Sequence, residues 1–331
     1  MITRRIILVA GALAILTGTA VAQSLESAVA DFRRGRMEEC IIALNDLVAN
    51  NSVQGPDQVT AYKYLSLASR GLDDRSQATF YLQQLAVLSP DADLSRERFP
   101  EDLLAVWWKV KGATDQIADL PQTKTIAFLH FDNASIEDAE KWQPMTIGLP
   151  AMLAGDFYEL GMLKVVERAR IEAILDELKL SEKQYADPQT AVRVGKLVGA
   201  HVLVFGTLMQ LDGRNMRIDA RLVQTETGEL IGAVKVDGRP NNIMKLEQEL
   251  VQKLAAELEV ELDDQAKAKL LEPEGPPVEA TLAYYNGLLH EDQGHYAEAF
   301  AAYRKATKLY PGYKDAEAKL ATLTPFVERA G

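Results

Sequence analysis

The apolar residues of this chain change their spacing twice, close to residues 112–122 and 272–277. Residues 23–112 and 278–325 carry apolar side chains at the three-and-four-residue spacing of amphipathic helices. Residues 123–262 instead alternate short apolar runs with helical segments, which is typical of strands joined by helices. The sequence therefore predicts an α/β domain, a mixed sheet packed by helices, with all-α helical repeats on both sides.

Residues 1–22 have the pattern of a secretory signal peptide. Arg4 and Arg5 precede the apolar run IILVAGALAIL, and a small-residue AVA cleavage site ends at Ala22. The run is too short to span a bilayer comfortably, so we expect cleavage after Ala22 and no transmembrane segment afterwards. The alternative is an uncleaved N-terminal anchor. Cleavage predicts a periplasmic protein, and peripheral association with the outer membrane is a further expectation.

Charge and cysteine content argue against nucleic-acid binding and against a disulfide framework. The net charge of the whole chain is −12, and the signal peptide carries two arginines and no acid, so the remainder is more acidic still. Such a surface repels nucleic acid, and no basic patch with interleaved aromatic residues is present. Cys40 is the single cysteine, which excludes an intramolecular disulfide and a lipid-acceptor cysteine at the cleavage site. Its helical context predicts a small buried core residue; the alternative is a reactive thiol.

The N-terminal part consists of amphipathic segments separated by turn residues. Gly35 and Gly71–Asp74 interrupt the helical pattern, and the two units recur with a period in the thirties. That period is typical of helix-hairpin repeats. One more helix follows, in which Trp107 and Trp108 lie on the apolar face. We expect this pair to pack in a core; the alternative is a ligand platform.

The central part predicts the order strand-helix-strand-helix-helix-strand-strand-strand-helix. The first strand is KTIAFLHF, residues 124–131, and the second is residues 163–166. Three strands follow in succession, of which RNMRIDARLVQ alternates apolar and polar residues as a half-buried strand does. The last helix is expected from Ile243 to Glu261, with leucines four residues apart.

The C-terminal segment ATLAYYNGLLHEDQGHYAEAFAAYRKATKLYPGYKDA is the clearest repeat in the chain. It resembles a tetratricopeptide repeat, and seven residues match that family at its spacing: Gly287, Gly294, Tyr296, Ala299, Tyr303, Ala306 and Pro311. The resemblance implies a pair of packed helices that serves protein–protein interaction. The N-terminal units match the same family more weakly.

The stretch from Thr125 to about Leu258 resembles the CsgG family, the periplasmic domains of the curli secretion component and its relatives. Four segments carry the resemblance: GLPAMLAGDF, VVERARIEAILDELKL, TAVRVGKLVGAHVLVFGTL and ARLVQTETGELIGAVKV. It implies a role in secretion, curli-like assembly or surface-structure biogenesis at the outer membrane. It also implies a homo-oligomeric ring.

The chain departs from that family at two connections. Curli secretion components extend two hairpins from this domain to form a pore. Here the corresponding connections are only QLDGRN and DGRPNN, whereas one membrane-spanning strand needs about 9–11 residues. We therefore expect a relative without pore-forming hairpins.

An acid and a base, Glu167 and Arg168, stand where the second predicted strand enters a helix. An acid is favoured near a helix N-terminus, and the arginine can bind backbone carbonyls or a neighbouring carboxylate. We expect a structural joint; the alternatives are a partner contact and, least favoured, catalysis.

Candidates for chemistry are few. His290 and His295 lie five positions apart in the repeat, a spacing that does not put two ligands on one helical face. His130, with Asp132 close by, follows the first strand, where ligands of α/β proteins often bind. No phosphate loop, zinc motif or nucleophile elbow is present. We therefore expect no catalytic residue, no metal site and no cofactor.

The sequence thus favours a non-enzymatic envelope protein, a scaffold or assembly factor that binds other envelope proteins through its helical repeats. Two alternatives remain open. One is a periplasmic accessory subunit resembling the amino-terminal domain of TolB or the flagellar-ring proteins. The other is a ligand sensor or hydrolase that uses the crevice near His130 and Asp132.

Overall fold

The structure is a computed structural model and describes residues 21–94, 97, 99–112, 124–161, 163–178, 187–270 and 275–327. The predicted signal peptide lies outside the described residues apart from positions 21–22, which are helical. The predicted linker at 112–122 lies outside them apart from Gly112. The described chain forms two compact units. Unit 1 comprises the described residues of Met1–Phe99 and Ala321–Gly331, and unit 2 comprises those of Pro100–Leu320.

Unit 1 is built from helical hairpins, as the repeat pattern predicted. Its first helix, α1, covers residues 21–33, and it is followed by α2 (Met37–Ala49), α3 (Pro56–Gly71) and α4 (Arg75–Leu88). Gly35 turns the chain between α1 and α2 with a φ of +73°, a conformation that glycine adopts without strain. Asp74 caps α4 by accepting a hydrogen bond from the amide of Gln77 at 2.9 Å.

Cys40 lies in the core of unit 1. Its side chain is fully buried, and burial, with a smaller effect from Asp31, raises the pKa of its thiol to about 12. A thiol in this environment stays protonated and unreactive at neutral pH. The predicted core role is therefore confirmed.

Unit 2 contains a five-stranded mixed sheet in the order β2-β1-β3-β4-β5. The strands are β1 (Thr125–Asn133), β2 (Lys164–Val165), β3 (Val202–Gln210), β4 (Met216–Gln224) and β5 (Leu230–Gly238). β1 pairs in parallel with β2 and with β3, while β3, β4 and β5 pair in an antiparallel manner. The predicted α/β class is confirmed, and the predicted element order agrees except for one additional short α-helix, Ala139–Trp142, after β1.

Helices pack on both faces of the sheet but leave part of one face open at β4 and β5. They are α5 (Glu101–Gly112), α6 (Ala139–Trp142), α7 (Met145–Glu159), α8 (Arg168–Glu177), α9 (Pro188–Val198), α10 (Ile243–Glu257) and α11 (Asp264–Leu270). One apolar cluster joins α7 and α10 to the sheet, and a second joins α8 and α9 to its other face. Gly206 of β3 has no room for a side chain, because a Cβ there would lie 2.0 Å from the carbonyl oxygen of Asp219.

The remaining helices belong to the predicted C-terminal repeat. α12 (Val278–Asp292) and α13 (Tyr296–Leu309) form its hairpin in unit 2, and α14 (Lys314–Val327) begins in that unit. Leu282, Tyr285 and Leu288 of α12 belong to the same apolar cluster as the sheet, α7 and α10. A Cβ on Gly148 of α7 would lie 2.6 Å from the ring of Tyr285. The first helix of the repeat is thus part of the α/β core.

Three boundaries differ from the predicted ones. α5, predicted with the N-terminal helices, groups with unit 2, because it packs on α8 and its N-terminal acids bond to other parts of that unit. β2 contains two residues instead of four. α10 ends at Glu257 instead of Glu261, since Glu259 takes a φ of +57° that ends helical geometry. No described helix has both the length and the apolar composition to cross a bilayer.

Candidate functional site: the Arg168 cluster

The strand-to-helix corner lies where the sequence placed it. Glu167 is the N-cap residue of α8, with extended backbone, and its side chain is exposed and makes no capping bond. Arg168 is the first residue of the helix, and 18% of its side-chain surface is exposed. The two neighbours thus have different environments, and only the arginine is directed into the protein.

Arg168 binds carboxylates from two other helices. Its two terminal nitrogens each donate a hydrogen bond of 2.8 Å to Asp292 at the end of α12. One of them also donates to Glu101 at the start of α5, at 2.7 Å. Glu172, one turn further along α8, lies 3.7 Å away. A planar guanidinium suits this arrangement because it holds one carboxylate with two parallel bonds and still reaches others.

A second cation completes the group. Lys319 of α14 contacts Glu101 at 2.7 Å and Glu291 of α12 at 3.1 Å. Glu291 is fully buried, and it also accepts a bond from the backbone amide of Glu101 at 3.0 Å. It therefore binds one of the unpaired amides at the N-terminus of α5. We call these six residues the Arg168 cluster: Glu101, Arg168, Glu172, Glu291, Asp292 and Lys319.

Residues of the repeat signature lie at or near this cluster. Tyr303 is buried and donates its hydroxyl proton to Glu291 at 2.5 Å. Tyr296 donates to Asp102 of α5 at 2.6 Å. Gly287 allows α12 and α13 to approach closely, because a Cβ there would lie 2.6 Å from the ring of Tyr303. Of the repeat-signature residues, the structure thus connects Tyr303 directly with the Arg168 cluster, which the sequence did not indicate.

The remaining signature residues have packing or turn positions. Ala299 and Ala306 are fully buried in the hairpin. Gly294 turns the chain between α12 and α13 with a φ of +73°, and Pro311 follows α13 in the next turn. These positions match the helix pair that the resemblance implied.

The cluster contains four carboxylates and two permanent cations, and this imbalance shifts the pKa values. Burial alone would raise the pKa of Glu101, but Lys319 and Arg168 outweigh it and lower the value to about 2. Burial raises the pKa of Asp292 to about 6, even though Arg168 acts against it, and the negative charges of Glu172 and Glu101 add to the rise. One carboxyl of the cluster therefore titrates close to neutral pH.

His130 lies beside the cluster. Its Nε2 is 2.5 Å from Glu172, which joins the end of β1 to α8. Burial acts to raise the pKa of Glu172, but His130 and Arg168 lower it. Asp132 is half-buried, and the described residues contain no group of three or more His, Cys, Asp or Glu side chains that could hold a metal ion. His130 thus contacts the cluster, and no metal-binding group forms around the pair proposed from the sequence.

The other histidines and the tryptophan pair are not among the six residues of the Arg168 cluster. His290 and His295 have ring centres 6.2 Å apart. His201 bonds through Nδ1 to the backbone amide of Thr125 at 3.1 Å. Trp107 is buried, and the ring of Trp108 stacks with the guanidinium of Arg170 at 5.4 Å. Trp108 therefore packs against α8 and Trp107 is a buried residue, which agrees with the packing role expected for the pair.

A second carboxyl pair lies between α7 and α10. Glu247 is 3% exposed and one of its carboxyl oxygens has no hydrogen-bond partner. Burial raises its pKa well above the usual value, and the charge of Asp156 and a hydrogen bond to it act in the same direction. Glu247 thus binds its proton more tightly than an exposed glutamate does.

Sequence reasoning missed Glu101, Glu172, Glu291, Asp292 and Lys319. Two of them carried a readable signal. Glu291 follows Leu288 by three positions, and Lys319 lies midway between the buried residues Ala316 and Leu323. A charged residue on the apolar stripe of a helix indicates a buried partner of opposite charge. The identity of that partner depends on the tertiary fold and cannot be found from spacing.

Chemically, the cluster binds together four helices of unit 2. Its acids are held by cations, amides or a hydroxyl, and no hydroxyl or thiol nucleophile lies among its six members. Such a network fixes geometry, and breaking it leaves an unpaired charge away from water.

Comparison with known families agrees with this architecture. Residues 114–217 match the family described as "Curli production assembly/transport component CsgG", and residues 280–313 match the tetratricopeptide repeat. The chain therefore combines a CsgG-like region with a tetratricopeptide repeat, as predicted. The first match ends inside β4, and β5 and α10 complete the sheet beyond it. No curated protein matches the chain.

Three solved structures are similar in part. The lipoprotein GNA1162 from Neisseria meningitidis is 18% identical and covers 41% of this chain and 98% of its own, with a TM-score of 0.31. The C-terminal domain of LpoB from Salmonella enterica is 17% identical over 37% of this chain and 87% of its own, with a TM-score of 0.27. The same domain from Escherichia coli is 18% identical over 41% of this chain and 96% of its own, also with a TM-score of 0.27.

Proposed function

We propose that this protein is a non-enzymatic assembly or interaction factor of the cell envelope, located in the periplasm. The family match to a curli production assembly/transport component and the tetratricopeptide repeat support this role. The short connections between β3 and β4 and between β5 and α10 support a factor without pore-forming hairpins. Secretion or surface-structure biogenesis is the process that the family match favours.

The observation that carries the proposal is the contrast between the two helical parts. In α12 only Glu279 is exposed, because the sheet, α7 and α5 cover the helix. The first helix of the C-terminal repeat therefore offers a partner almost no surface. In unit 1, α4 exposes Phe80, Val87 and Leu88, and 78% of the surface of Val87 is exposed. We call these three residues the α4 stripe.

The α4 stripe has the spacing of a helix-binding surface. Val87 and Leu88 lie seven and eight positions after Phe80, so all three share one side of the helix. The neighbouring helix α2 exposes Ile42, and Tyr81 of α4 donates a hydrogen bond of 3.0 Å to Asn45 of α2. An exposed apolar row along one helix suits the apolar face of a partner helix. We assign partner binding to unit 1 and a rigid supporting role to unit 2.

The test is site-specific photo-crosslinking in the envelope, with peptide identification. A photoreactive residue at Val87 should capture one envelope protein in fixed ratio. The matched control is a photoreactive residue at Tyr158, an equally exposed apolar side chain on α7 of unit 2. A Val87→Asp variant should lose the captured partner, and a Tyr158→Asp variant should keep it. Equal capture from both positions, or none from Val87, would remove the assignment to the α4 stripe.

A further inference from the structure

β5 is an edge strand with an accessible outer side. It ends the order of the five-stranded sheet, and no strand among the described residues pairs with that side. Most of its side chains are exposed, including Leu230 and Ile231. A strand of this kind is a template for another strand, so its outward groups decide what can pair with it.

The hydrogen-bond pattern of the hairpin before β5 identifies these outward groups. The amide of Leu211 donates to the carbonyl of Asn215 at 2.8 Å, so every second residue of β4, counted from Asn215, bonds to β3. The residues between them bond to β5. In the register of β4 and β5, the even-numbered residues of both strands form these hydrogen bonds, with the pairs Ile218↔Val236 and Ala220↔Val234.

The amides and carbonyls of Ala233, Lys235 and Asp237 therefore point away from the sheet. A side-chain contact on this side of the strand agrees with that orientation. The ammonium of Lys253 on α10 donates to the carbonyl oxygen of Lys235 at 2.7 Å, on the outer side of the strand. Every second residue of β5 thus directs its backbone amide and carbonyl outward, where they can form hydrogen bonds with another antiparallel strand.

Side chains on the open face of β4 and β5 form a regular charge pattern. Arg217 lies opposite Asp237, and Asp219 lies opposite Lys235. Along β4, Arg217 and Asp219 form an ion pair of 2.9 Å. Opposite charges therefore face each other across the strands and alternate along them, an arrangement that stabilises cross-strand pairing.

We infer that a second copy of this chain pairs with β5, strand to strand and antiparallel, about a two-fold axis at Val236. In this register Lys235 lies opposite the partner's Asp237, and Asp237 lies opposite the partner's Lys235. The outward backbone groups meet as hydrogen-bonded pairs. A two-fold axis makes the contact self-complementary, which closes the assembly at a dimer.

The charge pattern selects this register over its neighbours. Across the contact between the two copies, the charged side chains of β4 and β5 in one copy line up with those of β5 and β4 in the other. Positive and negative side chains then alternate over four strands. The next registers in either direction place Lys235 opposite itself or Asp237 opposite itself, and like charges directly opposite are destabilising. In the single chain the ammonium of Lys253 donates a hydrogen bond to the carbonyl oxygen of Lys235. Because the lysine side chain is flexible, a backbone amide of the second copy can replace it as the donor.

Sedimentation velocity on the purified protein tests this inference by charge reversal. Wild type should form a dimer at tens of micromolar, and added salt should weaken it because the charges are exposed. Lys235→Asp and Asp237→Lys should each raise the dissociation constant about tenfold, since each places two like-charged pairs at the seam. An equimolar mixture of the two variants should recover the dimer, because the aspartate introduced at position 235 then faces the lysine introduced at position 237.

The mixture separates pairing from folding, since it contains the same two proteins that associate weakly on their own. Lys196→Asp, the same charge reversal at an exposed site on α9, is the control and should dimerise as wild type does. A monomeric wild type, a mixture that stays monomeric, or an equal effect of Lys196→Asp would each overturn the inference.

Discussion

The guanidinium of Arg168 and the carboxylate of Asp292 form a two-bond ion pair, with both N–O distances at 2.8 Å, across 124 positions of sequence. The pair joins the first residue of α8 to the last residue of α12. It connects the CsgG-like sheet region to the helix hairpin of the repeat, inside one compact unit. The stability of that unit should therefore depend on this contact.

Arg168→Met is expected to destabilise unit 2 by roughly 2–4 kcal/mol, because it leaves Asp292 and Glu101 without their cation in a partly buried site. Urea unfolding followed by tryptophan fluorescence measures the change. Glu167→Ala, at the adjacent exposed position, is the control and should cost less than about 1 kcal/mol. Equal losses for the two variants would mean that the cluster contributes little.

Asp292 should give the stability a specific pH dependence. Its pKa is about 6 in the folded protein and 3.8 in the reference state, so the folded state holds the proton more tightly. The bound proton contributes its full stabilisation at pH values below 3.8, the reference pKa, and this contribution is lost as the pH rises through about 6. Unfolding free energies of wild type and Asp292→Asn should be compared between about pH 4 and 7, where wild type should lose about 1–3 kcal/mol relative to the variant. A constant difference across this range would contradict the shift.

Glu247→Gln is expected to stabilise the protein at neutral pH by about 1–3 kcal/mol, because a buried acid with a raised pKa lowers stability once the pH exceeds its unfolded value. The amide can also donate to Asp156. The gain should shrink as the pH falls towards about 4, where the glutamate is protonated in both states. Glu249→Gln, an exposed neighbour on α10, is the control. Thermal unfolding at two pH values gives the result, and a gain independent of pH would count against a buried acid.

Two glycines offer a matched test of the repeat packing. Gly287→Ala should destabilise by about 1–3 kcal/mol, since the new methyl group would meet the ring of Tyr303 at 2.6 Å. Gly155→Ala, within α7 and with no heavy atom inside 4 Å of the added carbon, should stabilise by roughly 0.5–1 kcal/mol. Both changes are measured by calorimetry. The same sign for both variants would show that the close approach of α12 and α13 is not limiting.

Much of the fold followed from spacing and turn residues. Strand alternation in β4, the leucine row of α10 and the glycines of the helical hairpins each depend on local chemistry, and all three were placed correctly. β2 was predicted too long, because a run of apolar residues does not show how many of them find a partner strand. Whether a strand forms depends on its own residues, whereas the number of its residues that pair depends on the neighbouring strand.

The site was accessible only in part. Arg168 could be named because it stands with an acid where a predicted strand enters a helix. Its partners, however, lie in α5 and α12. Periodicity assigns a face to each residue of a helix and does not say which helices meet. The burial of α12 against the sheet and α7 was hidden for the same reason, since a tetratricopeptide pattern has the same apolar spacing whether its inner face is free or covered.

The covered face of α12 has a consequence for how the chain matures. Tyr285, Leu282 and Leu288 fill the same apolar cluster as β1, β3 and β4, although they are encoded well after the last strand. During synthesis the sheet region is made well before these residues, so its core stays unfilled until α12 has been made. A long delay of this kind keeps the polypeptide loose. The α/β region therefore becomes compact only after a helix that lies outside it in the sequence has been made.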